Sequence, residues 1–412
     1  MGRPVSLREF FEINQNFPYS LRNTMVSPVM RLAYVGDFFN HGGLLYTSGT
    51  SIVILLSLFK DIDSIDVFCP EENDKIEEFE LPSKVVLREF YRFDDLKSIL
   101  RLLKVPWKNY DTVIFNMLPT GFGNRTMANA TALFVPILLV KFLRQKNIRV
   151  IYHNSVFTND VGKLGYYTAF DKIRSFFLGI VEKILFKNLE TFVLLDLYKE
   201  RIDKSIGENR VHVLKSRYLE AITSIYINEV MNLEYLRIEK SDIPTILMHG
   251  SWGPQKNIAL SLSTLKKLKE DGAKFRLTIS GGLNHHFPEY KRIFNELLHS
   301  YSDIVDEYLG PVAERDIMKI FLNANLLLLS YNTPGGHSGV LEQAIFFEVP
   351  TVAIEFPEYR EQAKDITKVK LVSPENFSCT IKEMLKIKGQ MEKLEIGTKI
   401  HELMRDIKIL LD

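Results

Sequence analysis

Tyr331-Asn-Thr-Pro-Gly-Gly-His-Ser-Gly-Val-Leu-Glu342-Gln-Ala, running on through Phe347-Glu-Val-Pro350-Thr-Val-Ala-Ile-Glu355, is the stretch on which the fold turns. The apolar run Leu326–Leu329 leads into it and reads as a buried parallel strand. Gly335 and Gly336 open the backbone, and Val340, Leu341, Ala344 and Ile345 follow at helical spacing. Pro350 closes that helix, and Thr351–Ile354 is the next strand. A strand, a glycine turn and a helix N-terminus present free N–H groups and a positive dipole end to an anion. Glu342, one turn into the helix, can reach back over the same crevice. The combination suits a ligand with both phosphate and hydroxyl groups.

Upstream, the same alternation recurs. Arg31–Val35 reads as the first strand, ahead of Gly36-Asp-Phe-Phe-Asn-His-Gly-Gly43 and a helix over Thr50–Phe59. The G-x-G-x-x-G spacing of a dinucleotide site is absent there, so the glycines are expected to let a bound group approach the backbone. Strands are expected at Ile65–Phe68, Lys84–Leu87, Asp111–Phe115, Ile148–Tyr152 and Thr191–Leu195. Helices are expected at Asp94–Leu103, Ala128–Lys146 (kinked at Pro136) and Phe170–Lys187. Regularity lapses over 214–243 and resumes with a strand at Thr245–His249, a helix at Ile258–Glu270 and a strand at Phe275–Ser280. Helices at Tyr290–Ser300 and Glu314–Leu322 flank a strand at Val305–Leu309, and Ile381–Met391 and Lys393–Leu411 read as terminal helices. Such βα alternation means parallel, doubly wound sheets.

At 412 residues the chain is too long for one ordinary core. The expected organisation is an extension (1–30), a first domain (31–220), a linker (221–243), a second domain (244–380) and C-terminal helices (381–412), the last packing back on the first domain. A net charge of +1 offers no global field to nucleic acid, so none is expected as a partner. Cys69 and Cys379 form no metal or redox spacing; a reducing compartment is the default, with a single disulfide left open. No run reaches the roughly 18 apolar residues that cross a bilayer, and Ser51–Phe59 and Thr131–Val140 read as core helices. The expectation is a cytoplasmic protein, with peripheral contact at the inner face of the membrane as an open alternative.

The C-terminal half resembles the glycosyltransferases of the GT-B fold, in particular their large retaining family 4. The resemblance rests on Gly250-Ser-Trp-Gly-Pro-Gln-Lys256-Asn257, Leu277-Thr-Ile-Ser-Gly281, Leu309-Gly310-Pro-Val312, Glu342-Gln-Ala, Glu348-Val-Pro350-Thr351, Pro357-Glu-Tyr-Arg-Glu361 and Leu371-Val-Ser-Pro374. It implies an α/β architecture of two doubly wound Rossmann-like domains facing across a cleft. The donor would be a nucleotide-diphosphate sugar, UDP- or GDP-linked, and the acceptor a glycan or lipid-linked molecule. No cofactor and no metal are expected. Lys256 would neutralise the diphosphate, backbone N–H groups of Gly335, Gly336, His337, Ser338 and Gly339 would hold phosphate and sugar, and Glu342 would accept from the ribose hydroxyls. Ser251, Gly281 and Val312 would complete the donor side; Val312 would meet the base through its backbone. His153 would touch the transferred sugar, and Gly42 and Gly43 would lie on the acceptor side. Two positions depart from the family: Pro334 stands where the first of its paired glutamates would fall, and Ser251 where it has arginine.

Each residue also has a plainer reading. Gly335-Gly336 alone could be a loop, Lys256 a surface lysine, His153 a satisfied strand-end histidine and His337 a helix-start residue. His285-His286 lack a third ligand in the sequence, so no metal site is expected. Asp37 could be a general base for inversion or a turn cap. Phe170–Lys187 carries Ile173, Phe176, Phe177, Ile180, Val181 and Ile184 on one side, with Lys172, Arg174, Lys183 and Lys187 away from it. Packing against the sheet is the preferred reading, and membrane-surface contact the alternative. The functional alternatives are a catalytically degenerate subunit or sugar-binding module, and an inverting transferase or nucleotide-sugar epimerase.

Overall fold

Buried apolar runs bounded by turn residues become parallel strands, and the amphipathic segments between them become the crossover helices. The structure is a computed structural model that describes residues 29–36, 44–71, 81–118, 126–143, 147–153, 155–158, 169–215, 217–228, 243–284, 287–333, 336–386 and 396–412. It divides into two compact units, Met1–Leu219 with Ile400–Asp412, and Glu220–Lys399. Asp37, Gly42, Gly43, His285, His286, Pro334 and Gly335, for which roles are expected above or weighed, lie outside the described residues.

The first unit holds a 7-stranded sheet of β1 (Met30–Val35), β2 (Ile62–Pro70), β3 (Val85–Tyr91), β4 (Thr112–Met117), β5 (Ile148–Tyr152), β6 (Glu190–Val193) and β7 (Val211–Val213). The spatial order is β3-β2-β1-β4-β5-β6-β7 and every pairing is parallel. The central strands are buried on both faces, while edge strand β3 is buried only at Val85 and Tyr91. Helices Leu44–Ser57, Thr126–Leu143, Ala169–Asn188 and Asp196–Ile206 fill the crossovers. Phe68, Trp107, Tyr110 and Phe115 form an aromatic cluster in the core, with Phe68 and Trp107 centroids 5.3 Å apart.

The second unit holds a 6-stranded parallel sheet of β8 (Thr245–His249), β9 (Arg276–Ser280), β10 (Glu307–Tyr308), β11 (Leu326–Leu329), β12 (Thr351–Ile354) and β13 (Val369–Val372). Its order is β10-β9-β8-β11-β12-β13. The chain therefore has the two parallel-sheet α/β domains of the GT-B fold.

Several local expectations change. The expected helix Asp94–Leu103 is a short helix Leu96–Ile99, capped by the Asp95 carboxylate, that tightens into a 3-10 turn. Within the stretch 214–243, residues Ile222–Ile227 form a helix, and Asn228 Nδ2 donates to Arg315 O at 2.9 Å. Both cysteines are free, Cys69 buried and Cys379 exposed. Helix Ala169–Asn188 does pack on the core, through Leu178, Val181, Leu185 and Phe186 with Ile184 against them, but Ile173, Phe176, Phe177 and Ile180 of the expected packing side face outward.

Candidate functional site

In each sheet the strand order reverses once, between β1 and β4 and between β8 and β11. At such a switch point neighbouring connections leave in opposite directions and open a crevice at the carboxyl ends of the strands. In the second unit the loop after β8 lines one side. Gly250 N donates to Ser280 O (3.2 Å) and Trp252 N to Gly282 O (2.7 Å), tying this loop to the end of β9. Only glycine fits at 281: its φ is +106°, and a Cβ would sit 1.9 Å from Gly250 O. Pro254–Lys256 form a 3-10 turn, and Asn257 adopts a left-handed conformation (φ 45°) before helix Ile258–Glu270. The chain after β11 clasps this turn: Ser330 Oγ donates to Asn257 O (3.0 Å) and Asn332 N to Gln255 O (3.0 Å).

These contacts hold Lys256 with its Nζ 3.7 Å from the centre of the buried Tyr331 ring, a cation–π arrangement. The residue is half-buried, and desolvation pushes its pKa down to about 7. No carboxylate pairs with it among the described residues. His249 Nδ1 lies 2.8 Å from Ser280 Oγ, and burial first, then the Lys256 charge, pushes its pKa down to about 4. Burial likewise raises the Tyr331 phenol, with Ser338 opposing. A side chain at Gly250 would come within 3.6 Å of Val340 Cγ2, 3.7 Å of Tyr331 Oη and 3.9 Å of Lys256 Cε. Lysine, ring and the start of helix Gly339–Phe346 thus converge on one glycine.

That helix is polarised. Ser338 caps it, its Oγ accepting from Leu341 N (3.3 Å) and its carbonyl from Glu342 N (3.1 Å). The Gln362 amide fixes Ser338, accepting from its N–H (3.0 Å) and donating to its carbonyl (3.2 Å). The N–H groups of Gly339 and Val340 carry no hydrogen bond among the described residues. At the far end Lys399 Nζ donates to Phe346 O (2.7 Å) and to the Glu348 carboxylate (2.8 Å), a cation on the negative pole. Glu348 takes the left-handed turn after the helix (φ 56°), a conformation usually left to glycine.

Glu342 does reach back toward the helix start, but its carboxylate is engaged within the protein. His337 Nε2 donates to Oε1 (2.7 Å) and Glu220 N to Oε2 (3.3 Å), and its side chain is 1% exposed. His337 Nδ1 has no partner among the described residues. The Glu220 carboxylate packs on Gly339, where a Cβ would lie 2.9 Å from Glu220 Cγ.

In the first unit the switch point is marked by Gly36 and Asn116. A Cβ on Gly36 would meet Asn116 Cβ and O at 3.1 Å. His153, fully buried at the end of β5, donates through Nε2 to Asn116 Oδ1 (2.6 Å). Just beyond it Glu182, buried on helix Ala169–Asn188, accepts from Tyr152 Oη (2.8 Å), Ser155 Oγ and Val156 N (3.1 Å). Desolvation raises its pKa to about 7 against these three hydrogen bonds.

Of the residues expected at the site, Lys256, Gly281, Gly336, His337, Ser338, Gly339 and Glu342 lie in the second unit's switch-point region or the turns that build it. Ser251 and Val312 are half-buried in the loops after β8 and β10. Tyr331, His249, Gln362 and Glu220 were given no role in the sequence reading, nor were Glu182 and Asn116. Two of these had a visible signal: Asn116 is polar in an apolar strand, and Glu182 is an acid inside the stripe Leu178, Val181, Leu185, Phe186. No group of three or more metal-ligating side chains occurs among the described residues.

No protein-family model matches the chain, and no curated sequence does. Solved structures do. WaaG, a glycosyltransferase involved in lipopolysaccharide biosynthesis, superposes with a TM-score of 0.56 at 14% identity, covering 92% of this chain and 94% of its own. Anabaena Alr3699/HepE in complex with UDP and glucose gives 0.56 at 12%, covering 93% and 96%. The UDP-GlcNAc 2-epimerase of Methanocaldococcus jannaschii gives 0.54 at 16%, covering 93% and 99%. At such identities the likeness establishes the fold.

Proposed function

We propose that this chain is a glycosyltransferase moving a sugar from a nucleotide-diphosphate sugar to a glycan or lipid-linked acceptor, of the retaining, metal-independent family 4 type. One observation carries the reading: a half-buried lysine with no carboxylate partner among the described residues, held against Tyr331 and converging with unbonded helix N-terminal N–H groups at the switch point. A desolvated cation without a counter-charge is costly, so a site that holds one beside free N–H donors is built for an anion. A diphosphate, whose charge grows as it leaves, is stabilised by such fixed donors. UDP and UDP-glucose, which are bound by the similarly folded HepE structures, support this choice of donor.

In this reading Lys256, Gly339 N and Val340 N hold the diphosphate, Gly250 leaves the backbone low enough for it to approach, and Gly281 lets the Gly250 carbonyl pack against it. Glu342 takes the ribose only by exchanging its His337 or Glu220 contact. In a retaining reaction the C1–O bond to the diphosphate breaks, the acceptor oxygen bonds to C1 on the same face, and its proton passes to the leaving phosphate oxygen. A nucleotide-sugar epimerase is the second reading, favoured by the buried His337–Glu342 pair with its open Nδ1, which could move a proton.

A thermal-shift screen against UDP-, GDP-, ADP- and dTDP-sugars tests the donor, because a ligand that binds only the folded state raises the midpoint. One donor class should stabilise the wild type and not Lys256→Met. The anomeric configuration of the product, or an epimer formed without acceptor, separates the two reactions. No stabilisation by any donor overturns both.

A further inference from the structure

Helix Ala169–Asn188 carries two apolar faces, and only one is used. Leu178, Val181, Leu185 and Phe186 pack into the core of the first unit. Ile173 (55% exposed), Phe176 (67%), Phe177 (58%) and Ile180 (45%) stand outside it. At about 100° per residue these four positions fall within an arc of roughly 100° on the outer face. Phe176 and Phe177 contact each other edge-on at 6.0 Å, so the rings form one patch. The lysines expected away from this side border it instead: exposed Lys187 falls within the arc about two turns past Ile180, and exposed Lys183 and Lys172 lie at its rim. The charges described on the outer face are therefore all positive; the helix's described acid, Glu182, is buried on the inner face.

Position matters as much as composition. The patch lies within the first two-thirds of a helix that leaves the carboxyl edge of the sheet. Glu182 fastens this helix to the loop after β5, accepting from Val156 N (3.1 Å) and Ser155 Oγ. Gly179 lets the same loop pack closely: its missing Cβ would lie 3.4 Å from Val156 Cγ2 and 3.6 Å from Phe157 Cζ. The patch is thus built onto the strand end that carries His153, the expected acceptor side.

We infer that the outer face of helix Ala169–Asn188 docks on an anionic lipid surface and that the acceptor is a lipid-anchored molecule reached from that surface. The first part stands on the helix alone; the second rests on the transferase reading. Two phenylalanines and two isoleucines supply the apolar face that lies among acyl chains. Lys172, Lys183 and Lys187 supply charge for acidic headgroups and long stems that keep that charge at the interface. No helix among the described residues is long and apolar enough to cross a membrane, so such contact is peripheral. A protein partner would match an apolar patch equally well, but nothing in such a partner would require the all-lysine flank.

The test is co-sedimentation of the full chain with vesicles of pure phosphatidylcholine and of equimolar phosphatidylcholine and phosphatidylglycerol. The wild type should bind the anionic vesicles and release as salt is raised. Phe176→Ser with Phe177→Ser should weaken partitioning by at least about tenfold, since each ring carries roughly a decade of apolar transfer. Lys183→Glu with Lys187→Glu should lose the preference for anionic lipid. An unchanged thermal midpoint checks that each variant is folded, and unchanged stabilisation by UDP-glucose keeps donor binding separate. Failure of the wild type to bind anionic vesicles overturns the inference, as does equal binding by the phenylalanine variant. A dimer that this variant dissociates overturns it in favour of a second copy. A transferase equally active on a water-soluble acceptor and on the same acceptor carried in vesicles overturns the second part alone.

Discussion

Lys256 combines a positive charge with a desolvating environment, and its acid–base behaviour follows from that conflict. In the absence of ligand its pKa falls to about 7, through desolvation. A bound diphosphate restores the advantage of the charged form, so above pH 7 binding must take up a proton. UDP-glucose has no phosphate that titrates near neutrality, which leaves the lysine as the source of the effect. Its affinity is expected to be level below pH 7 and to fall by up to about tenfold per pH unit above it. The Lys256→Met profile should be flat and weak throughout. Isothermal titration in buffers of different ionisation enthalpy would read the proton directly, and no proton uptake at pH 8 would remove the lysine from the phosphate site. Gly281 is limited by space instead. Gly281→Ala should cost at least about 3 kcal/mol in urea unfolding, because a Cβ would enter the Gly250 carbonyl at a positive φ.

Among elements, the helix Ala169–Asn188 separates what the sequence discloses from what it withholds. Buried parallel strands were legible because they are short apolar runs ended by glycine or polar residues, as at Thr245–Gly250 and Leu326–Ser330. Strand β7 was not, since Val211-His-Val is three residues long with an exposed histidine. The helix start after β11 and the turn from Gly250 to Lys256 were legible because both are local. Lys256 against Tyr331 was not, since that contact joins residues 75 positions apart in the chain. For helix Ala169–Asn188 the periodicity marked apolar residues but not which of two apolar faces meets the sheet. Glu182 decides it, because its hydrogen bonds lie on the inner face. Glu182→Ala leaves the buried Tyr152 hydroxyl and Ser155 without their acceptor and should cost about 3 kcal/mol at pH 5. The folded-state pKa of about 7 lies above the unfolded value. The carboxyl's contribution is therefore complete below the unfolded pKa and is lost as pH rises through 7. The destabilisation by Glu182→Ala should shrink from pH 5 to pH 8, by at most about 1.4 kcal/mol per unit. A constant difference in urea midpoints across that range would contradict the assignment.

At the scale of the whole molecule, each unit has its own sheet and its own core, so the chain has two potential folding units. Multidomain chains commonly depart from a single two-state transition. Calorimetry should resolve two endotherms, which the donor and two variants assign. UDP-glucose is proposed to contact Lys256, Gly339 and Val340, all within Glu220–Lys399, and so should raise the transition of that unit by mass action. Glu182→Ala acts within Met1–Leu219 and should lower the other. Gly281→Ala should lower the transition that UDP-glucose raises. These three perturbations make the assignment redundant, so one misleading variant cannot carry it. If UDP-glucose raised the transition that Glu182→Ala lowers, and left the Gly281→Ala transition unmoved, the donor site would lie in the first unit and the phosphate role of Lys256 would fall. If all three moved a single cooperative transition, the two cores would be energetically coupled. Donor binding would then have a direct thermodynamic route to the first unit.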